Sequence, residues 1–191
     1  MLLLHYAFKK NNMRFIDNDL QEYTGTNFSI YKTNLGTSEM SFTNGFAIPN
    51  STNYANIMLG QCVDCSNSYY GWFNGFTYDK VLVAGLGFGL IPQTLSEVNG
   101  CSLVDVVEID QEIIDYNISS GHLNVNINIT QSDIFNYTTV ERYDLIIIDT
   151  IFHEGEMSEE QYQSLVSRFY NTNLNSGGVL YVPIIDKWLV K

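Results

Sequence analysis

The chain has 191 residues, 45% of them hydrophobic, and 9 basic against 21 acidic side chains give a formal net charge of −12. That length implies one domain with an extension, and the apolar fraction is enough to form a core. The acidic balance argues against electrostatic binding of nucleic acid; it suits a cationic ligand, although solubility explains it equally well.

The longest apolar run at the start, Met1 to Leu4, is broken by His5. It is too short for a signal peptide or a membrane span, so a cytoplasmic protein is expected. Residues 1–78 read as a β-rich extension. Leu2 to Phe8, Met13 to Asp17, Phe28 to Lys32, Met40 to Phe42 and Ile57 to Val63 are short strand candidates. Thr24-Gly25-Thr26 and Leu35-Gly36-Thr37 supply turns between them. Cys62 and Cys65 have the spacing of a redox or zinc pair. No second pair completes a tetrahedral site, and His5, His122 and His153 are scattered, so no metal is expected and the thiols, Cys101 included, are read as reduced and unligated. Tyr69, Tyr70, Trp72, Phe73, Phe76 and Tyr78 form an aromatic cluster that reads as packing against a sheet, with a pocket wall as the alternative.

From Asp79 onward the pattern alternates between strand and helix, which marks a second unit over residues 79–191. Lys80 to Ala84 is an apolar first strand. It ends in Gly85-Leu86-Gly87-Phe88-Gly89, and a helix follows with Leu90, Ile91, Leu95 and Val98 at helical spacing and Pro92 in its first turn. Leu103 to Ile109 is the second strand, and the helix after it carries Ile113, Ile114 and Ile118. Val125 to Ile129 is the third strand. Tyr143 to Ile148 has the unbroken apolar run of a strand buried on both faces. Ser158-Glu159-Glu160-Gln161 is a capping box, opening a helix with Tyr162, Leu165, Val166, Phe169 and Tyr170 on one face. Val179 to Ile185 is the fifth strand. It is expected to be an open edge unless the N-terminal hairpins of residues 1–63 or another subunit cover it. The apolar stretch Ile184 to Val190 has no helix after it to bury it, so a homo-oligomer anchored by Trp188 is expected to cover that edge.

The glycine loop and the strand ends carry the candidate chemistry. Gly85, Gly87 and Gly89 let the backbone approach a ligand closely, at the start of a helix whose amides face that ligand. The spacing is Gly-x-Gly-x-Gly with Leu at position 90. The dinucleotide fingerprint wants its third glycine one residue later, so a nucleoside without a pyrophosphate fits better, with S-adenosylmethionine the first candidate. A glycine-rich turn in an ordinary strand–helix–strand unit is the plainer alternative. Glu108, at the tip of the second strand, can accept both hydroxyls of a ribose. Asp110, Asp133 and Asp149 mark the same edge of the expected sheet.

Four phrases together resemble the successive motifs of class I S-adenosylmethionine-dependent methyltransferases: Gly85 to Gly89, Val107-Glu108-Ile109-Asp110, Ser132-Asp133-Ile134-Phe135, and Tyr143 to Asp149. The likeness covers residues 79 to 183 and is nearest to the spermidine synthase-like branch. It implies a Rossmann-like, mainly parallel α/β sheet in the order 3-2-1-4-5, without the usual last two strands, after small N-terminal hairpins. It also implies site roles. Glu108 would hold the ribose hydroxyls. Asp133 would take the adenine amino group, with the Ile134 amide nearby. Gly85 to Gly89 would pack under the methionine part, and Asp149 would face the sulfonium. His153 and Glu154, in the loop after the fourth strand, could serve as a base, and His153 reads equally well as a solvated loop residue.

The expected function is an S-adenosylmethionine-dependent methyltransferase of a small-molecule acceptor. Aminopropyl transfer from the decarboxylated form is the alternative. Against it, Phe152 occupies the place of that branch's second acid, and its polyamine signature is not recognisable in Leu59 to Phe76. A truncated domain that binds or cleaves the nucleoside without transfer is the third reading.

Overall fold

The computed structural model describes residues 22–32, 38–42, 77–98, 101–121, 123, 125–150, 159–182 and 187–191. The strand candidates Leu2 to Phe8, Met13 to Asp17 and Ile57 to Val63 lie outside these residues. So do Cys62, Cys65, the three histidines and the aromatic cluster before Tyr78.

Two sheets are present among the described residues. The smaller is antiparallel, in the order β1 (Tyr23–Thr24), β2 (Phe28–Lys32), β3 (Ser38–Phe42). The larger contains β4 (Lys80–Ala84), β5 (Leu103–Glu108), β6 (Ile127–Gln131), β7 (Tyr143–Ile148), β8 (Leu174–Val182) and β9 (Lys187–Val190), in the order β6-β5-β4-β7-β8-β9. The first five are parallel, and β9 runs antiparallel to β8. The helices are α1 (Leu90–Val98), α2 (Gln111–Ser120) and α3 (Glu159–Thr172).

The period of two in β4 distributes the core. Val81 and Val83 join a cluster with Leu95 of α1, Ile113 and Tyr116 of α2, and Leu145 and Ile147 of β7. Leu82 and Ala84 join the opposite cluster with Ile146, Ile148, and Leu165, Val166 and Phe169 of α3. Both faces of the central strands are therefore covered, which is why β4 and β7 are apolar at nearly every position. Each such aliphatic side chain, fully buried, contributes about 1.5–3 kcal/mol of transfer free energy. Phe28 and Ile30 of the small sheet are 0% and 2% exposed and belong to the first cluster, so that sheet shares the core of the larger unit. Cys101 is free and buried there, and burial pushes its thiol up to about 11. No described helix is long and apolar enough to cross a membrane.

The strand order 3-2-1-4-5 and the parallel direction are as expected, and several details differ. The fifth strand is not an open edge: β9 covers it, with Tyr181 opposite Trp188 and Val182 opposite Lys187. Trp188 stacks on Tyr181 with ring centroids 3.8 Å apart, so the tryptophan read as an intersubunit anchor is held by its own chain. An apolar segment without a following helix can instead be covered by pairing with the strand before it, as Lys187–Val190 does. β8 also begins five residues earlier than expected, at Leu174. The third strand is Ile127–Gln131 rather than Val125 to Ile129, and Val125 is fully exposed. β5 stops at Glu108, leaving Ile109 exposed. Ile118 also faces solvent, because α2 packs through Ile113, Ile114, Tyr116 and Asn117.

Candidate functional site

The site lies where β4 parts its neighbours. β5 continues the sheet on one side and β7 on the other, and the crevice opens beyond their carboxyl ends. The loop from Gly85 to Gly89 fills the floor. Gly85, Gly87 and Gly89 have φ of 99°, 50° and 75°, a region that side chains bearing a Cβ rarely adopt. At Gly85 space decides as well as angle, since a Cβ there would collide with the main-chain oxygen of Asp149. The loop is tied down by Gly85 N donating to Val107 O at 2.8 Å and Gly89 N donating to Leu86 O at 2.8 Å.

Glu108 is built into this floor. Its Oε2 accepts from Leu86 N at 2.8 Å, and its Oε1 accepts from Ile109 N at 2.9 Å and Asp110 N at 3.0 Å. Burial raises its carboxyl above the ordinary glutamate value, and the three amide donors oppose that shift. Glu108 is only 8% exposed, so it is not the free strand-tip acid that the sequence implied. A carboxylate offers roughly four acceptor positions, and three are already taken. Among the described residues nothing takes the fourth, on Oε2, where two ribose hydroxyls had been expected.

Asp110 is also 8% exposed. It is the N-cap of α2, with Oδ1 accepting from Glu112 N at 2.8 Å. Asn27 Nδ2 reaches both of its oxygens, at 3.2 and 3.1 Å.

Asp133 opens the next loop. Its Oδ1 accepts from Phe135 N at 2.9 Å and its Oδ2 from Asn136 Nδ2 at 3.0 Å, and Ile134 is buried beside it. Arg168 of α3 holds this loop from behind, its guanidinium donating to Ile134 O and Phe135 O at 2.7 Å each. A cavity of about 340 Å³ adjoins it, lined by Phe135, Glu160, Gln161, Ser164, Leu165 and Arg168.

Asp149 ends β7, with its amide donating to Ala84 O at 2.8 Å. Its side chain is open to solvent and has no hydrogen-bond partner among the described residues. Desolvation nevertheless pushes its carboxyl up to about 6. His153 lies outside the described residues.

The glycines, Glu108 and Asp149 thus meet at the end of β4, with Asp110 hydrogen-bonded to Glu108. Asp133 opens the loop beyond β6, and Ser132 N bonds Glu108 O. The sequence reading missed the residues that hold the loops. Asn117 is fully buried, and its Nδ2 donates to Gly87 O at 2.8 Å and Ile113 O at 2.9 Å. The signal was present: an asparagine one helical turn after Ile113 and Ile114, on the face they share, needs a buried partner. Arg168 likewise stands between Val166 and Phe169 on the packed side of α3. No local signal marks Asn27, whose partner Asp110 lies far along the chain. Among the described residues no group of histidine, cysteine or acidic side chains could hold a metal.

Neither a protein-family model nor a curated protein matches the chain. Solved structures do. The N-methyltransferase NodS from Bradyrhizobium japonicum WM9 is similar with a TM-score of 0.53 at 18% identity, over 62% of this chain and 65% of that one. NodS in complex with S-adenosyl-L-homocysteine gives a TM-score of 0.50 at 16% identity, over 62% and 59%. A protein assigned as an O-methyltransferase from Nostoc punctiforme PCC 73102 gives 0.52 at 15% identity, over 62% and 36%. The chain spans less than two thirds of each of them. At such identities the likeness is one of fold: this chain carries a Rossmann-like fold that these proteins share.

Proposed function

We propose that the protein binds S-adenosylmethionine and transfers its methyl group to a small-molecule acceptor. The observation that carries this reading is the crevice floor: three left-handed glycines at the end of β4, closed against β5 by the carboxylate of Glu108. Such a floor admits a nucleoside close to the backbone and offers it a buried acceptor. The likeness to NodS, crystallised with S-adenosyl-L-homocysteine, supports the choice of nucleoside.

The residues present fit that ligand. Glu108 has one acceptor position left for a ribose hydroxyl, and Asp110 flanks it. Asp133 would take the adenine amino group beside the Ile134 amide. Gly85, Gly87 and Gly89 would lie under the methionine part. Asp149 would face the sulfonium, where an ionised carboxylate favours a cation. When bound, the ligand supplies a methyl carbon already activated by the adjoining positive charge. The protein's remaining task is to hold the acceptor in line and exclude water. His153, four residues after Asp149 in the sequence, would take the proton of an acceptor that must lose one.

Calorimetry with S-adenosylmethionine, its decarboxylated form, methylthioadenosine and NAD tests the reading. Binding of S-adenosylmethionine is expected, and binding of NAD alone would overturn it. A preference for the decarboxylated form would favour aminopropyl transfer. The Val107-Glu108-Ile109-Asp110 phrase and the charge of −12 speak for that second reading, and Phe152 speaks against it.

A further inference from the structure

The turn between β1 and β2 reaches across more than eighty residues of sequence to grip the start of α2. Glu112 Oε1 accepts from Tyr23 Oη at 2.9 Å and Thr26 N at 2.7 Å, and its Oε2 accepts from Asn27 N at 2.7 Å. The fit leaves no space for a side chain at Gly25, where a Cβ would overlap the Glu112 carboxylate. Asn27 then passes the grip inward by binding both oxygens of Asp110. Asp110 N binds Glu108, and Glu108 binds Leu86 N in the glycine loop. An unbroken chain of hydrogen bonds therefore runs from the small sheet to the crevice floor. Beneath it, the Tyr116 ring packs against Tyr23 and Phe28, with centroids 5.2 and 5.9 Å away.

We propose that Asn27 and Glu112 are positioning residues for nucleoside binding, acting through Asp110 to fix the Glu108 carboxylate in the plane where its one remaining acceptor position meets a ribose hydroxyl. The grip has more than a generic packing role because Asn27 holds both carboxylate oxygens of the N-cap. That contact fixes the rotation of Asp110, whose amide sets one side of Glu108. The inference rests on the nucleoside reading of the site.

The test compares equilibrium binding of 5′-methylthioadenosine with that of its 2′,3′-dideoxy counterpart. The wild type is expected to prefer the hydroxylated ligand. In Asn27→Ala that preference is expected to fall by about tenfold, the lower end of the scale of one hydrogen bond to a charged group, while affinity for the dideoxy ligand stays unchanged. A purely structural role would weaken both ligands equally, and that outcome overturns the proposal. Glu112→Gln leaves a single acceptor oxygen and turns an amide donor toward an N–H or O–H of the turn, so it is expected to lose part of the preference with dideoxy affinity unchanged; it stands in should Asn27→Ala not fold, and a loss equal for both ligands, or no loss of preference, would again count against the idea. Failure of the wild type to bind either nucleoside would remove the nucleoside reading itself, a result distinct from a wild type that discriminates beside variants that do so equally.

Discussion

Glu108 and Asp149 end strands on opposite sides of β4, yet they are used differently. Glu108 is buried and accepts from three main-chain amides. Asp149 stands open to water, without a hydrogen-bond partner among the described residues, and desolvation raises its carboxyl to about 6. The first carboxylate is part of the framework and has one acceptor position to spare. The second has no partner charge among the described residues. Proximity to a crevice does not by itself make an acid a ligand-binding group; its existing partners decide how much of it is left to bind anything.

The sharpest way to break this contrast is Glu108→Ala. It would strand two buried amides, each costing about 1–3 kcal/mol, and one part-buried amide, so a loss of at least about 2 kcal/mol is expected in denaturant unfolding. A loss below about 1 kcal/mol would mean that the carboxylate is not structural. Gly85→Ala acts where the two corners touch. Its φ of 99° and the collision with Asp149 O predict a cost of roughly 2 kcal/mol or more. Thermal unfolding would register that cost, and an unshifted midpoint would show that the loop relaxes freely. Arg168→Met keeps much of the side-chain bulk but drops both bonds to the Ile134 and Phe135 carbonyls. About 1–2 kcal/mol of stability should be lost, together with adenosine affinity if that loop grips the base; unchanged adenosine binding would separate the clamp from the site.

The last and smallest effect concerns Asp149. Its folded carboxyl titrates near 6, above its ordinary value. The folded protein therefore holds the proton more tightly than the unfolded chain across that interval. Stability from this group is full below the unfolded value and is lost as pH rises through about 6. Asp149→Asn should flatten that slope. Above pH 6 the ionised acid should favour cationic S-adenosylmethionine over neutral S-adenosylhomocysteine by roughly 1 kcal/mol, the scale of a partly exposed charge pair. Titration calorimetry at pH 5 and pH 8 would show the preference appear with pH in the wild type and stay absent in the variant. A preference equal at both pH values would place the sulfonium elsewhere.

The order of the parallel sheet was legible because β4, β5 and β7 are apolar runs separated by turn and helix signals, and burial on both faces forces that composition. The glycine loop was legible because a backbone at positive φ selects one residue type. The state of Glu108 was not, since nothing local shows that Leu86, Ile109 and Asp110 turn their amides toward it. Asn117 and Arg168 gave partial warning as polar residues on packed helix faces. β9 escaped because four residues carry no periodicity, and its role depends on β8 lying alongside. The grip of Asn27 on Asp110 depends on how two distant segments meet, which only the folded chain decides.

The pairing of β4 with β7 also bears on how the molecule acquires its shape. Val81 lies opposite Leu145, so the central seam encloses a loop of roughly 60 residues containing β5, α2 and β6. The β1–β2 turn waits on α2 over a still longer separation. Local pieces such as α3 with β8 can form early, but parallel seams of this span are slow to nucleate, and such topologies fold on the slower side of the millisecond range. Until the seam closes, the apolar faces of β4 and β7 are exposed together. Gly85 and Asp149 sit at its upper end, so the crevice is completed by the same event that ends this vulnerable interval.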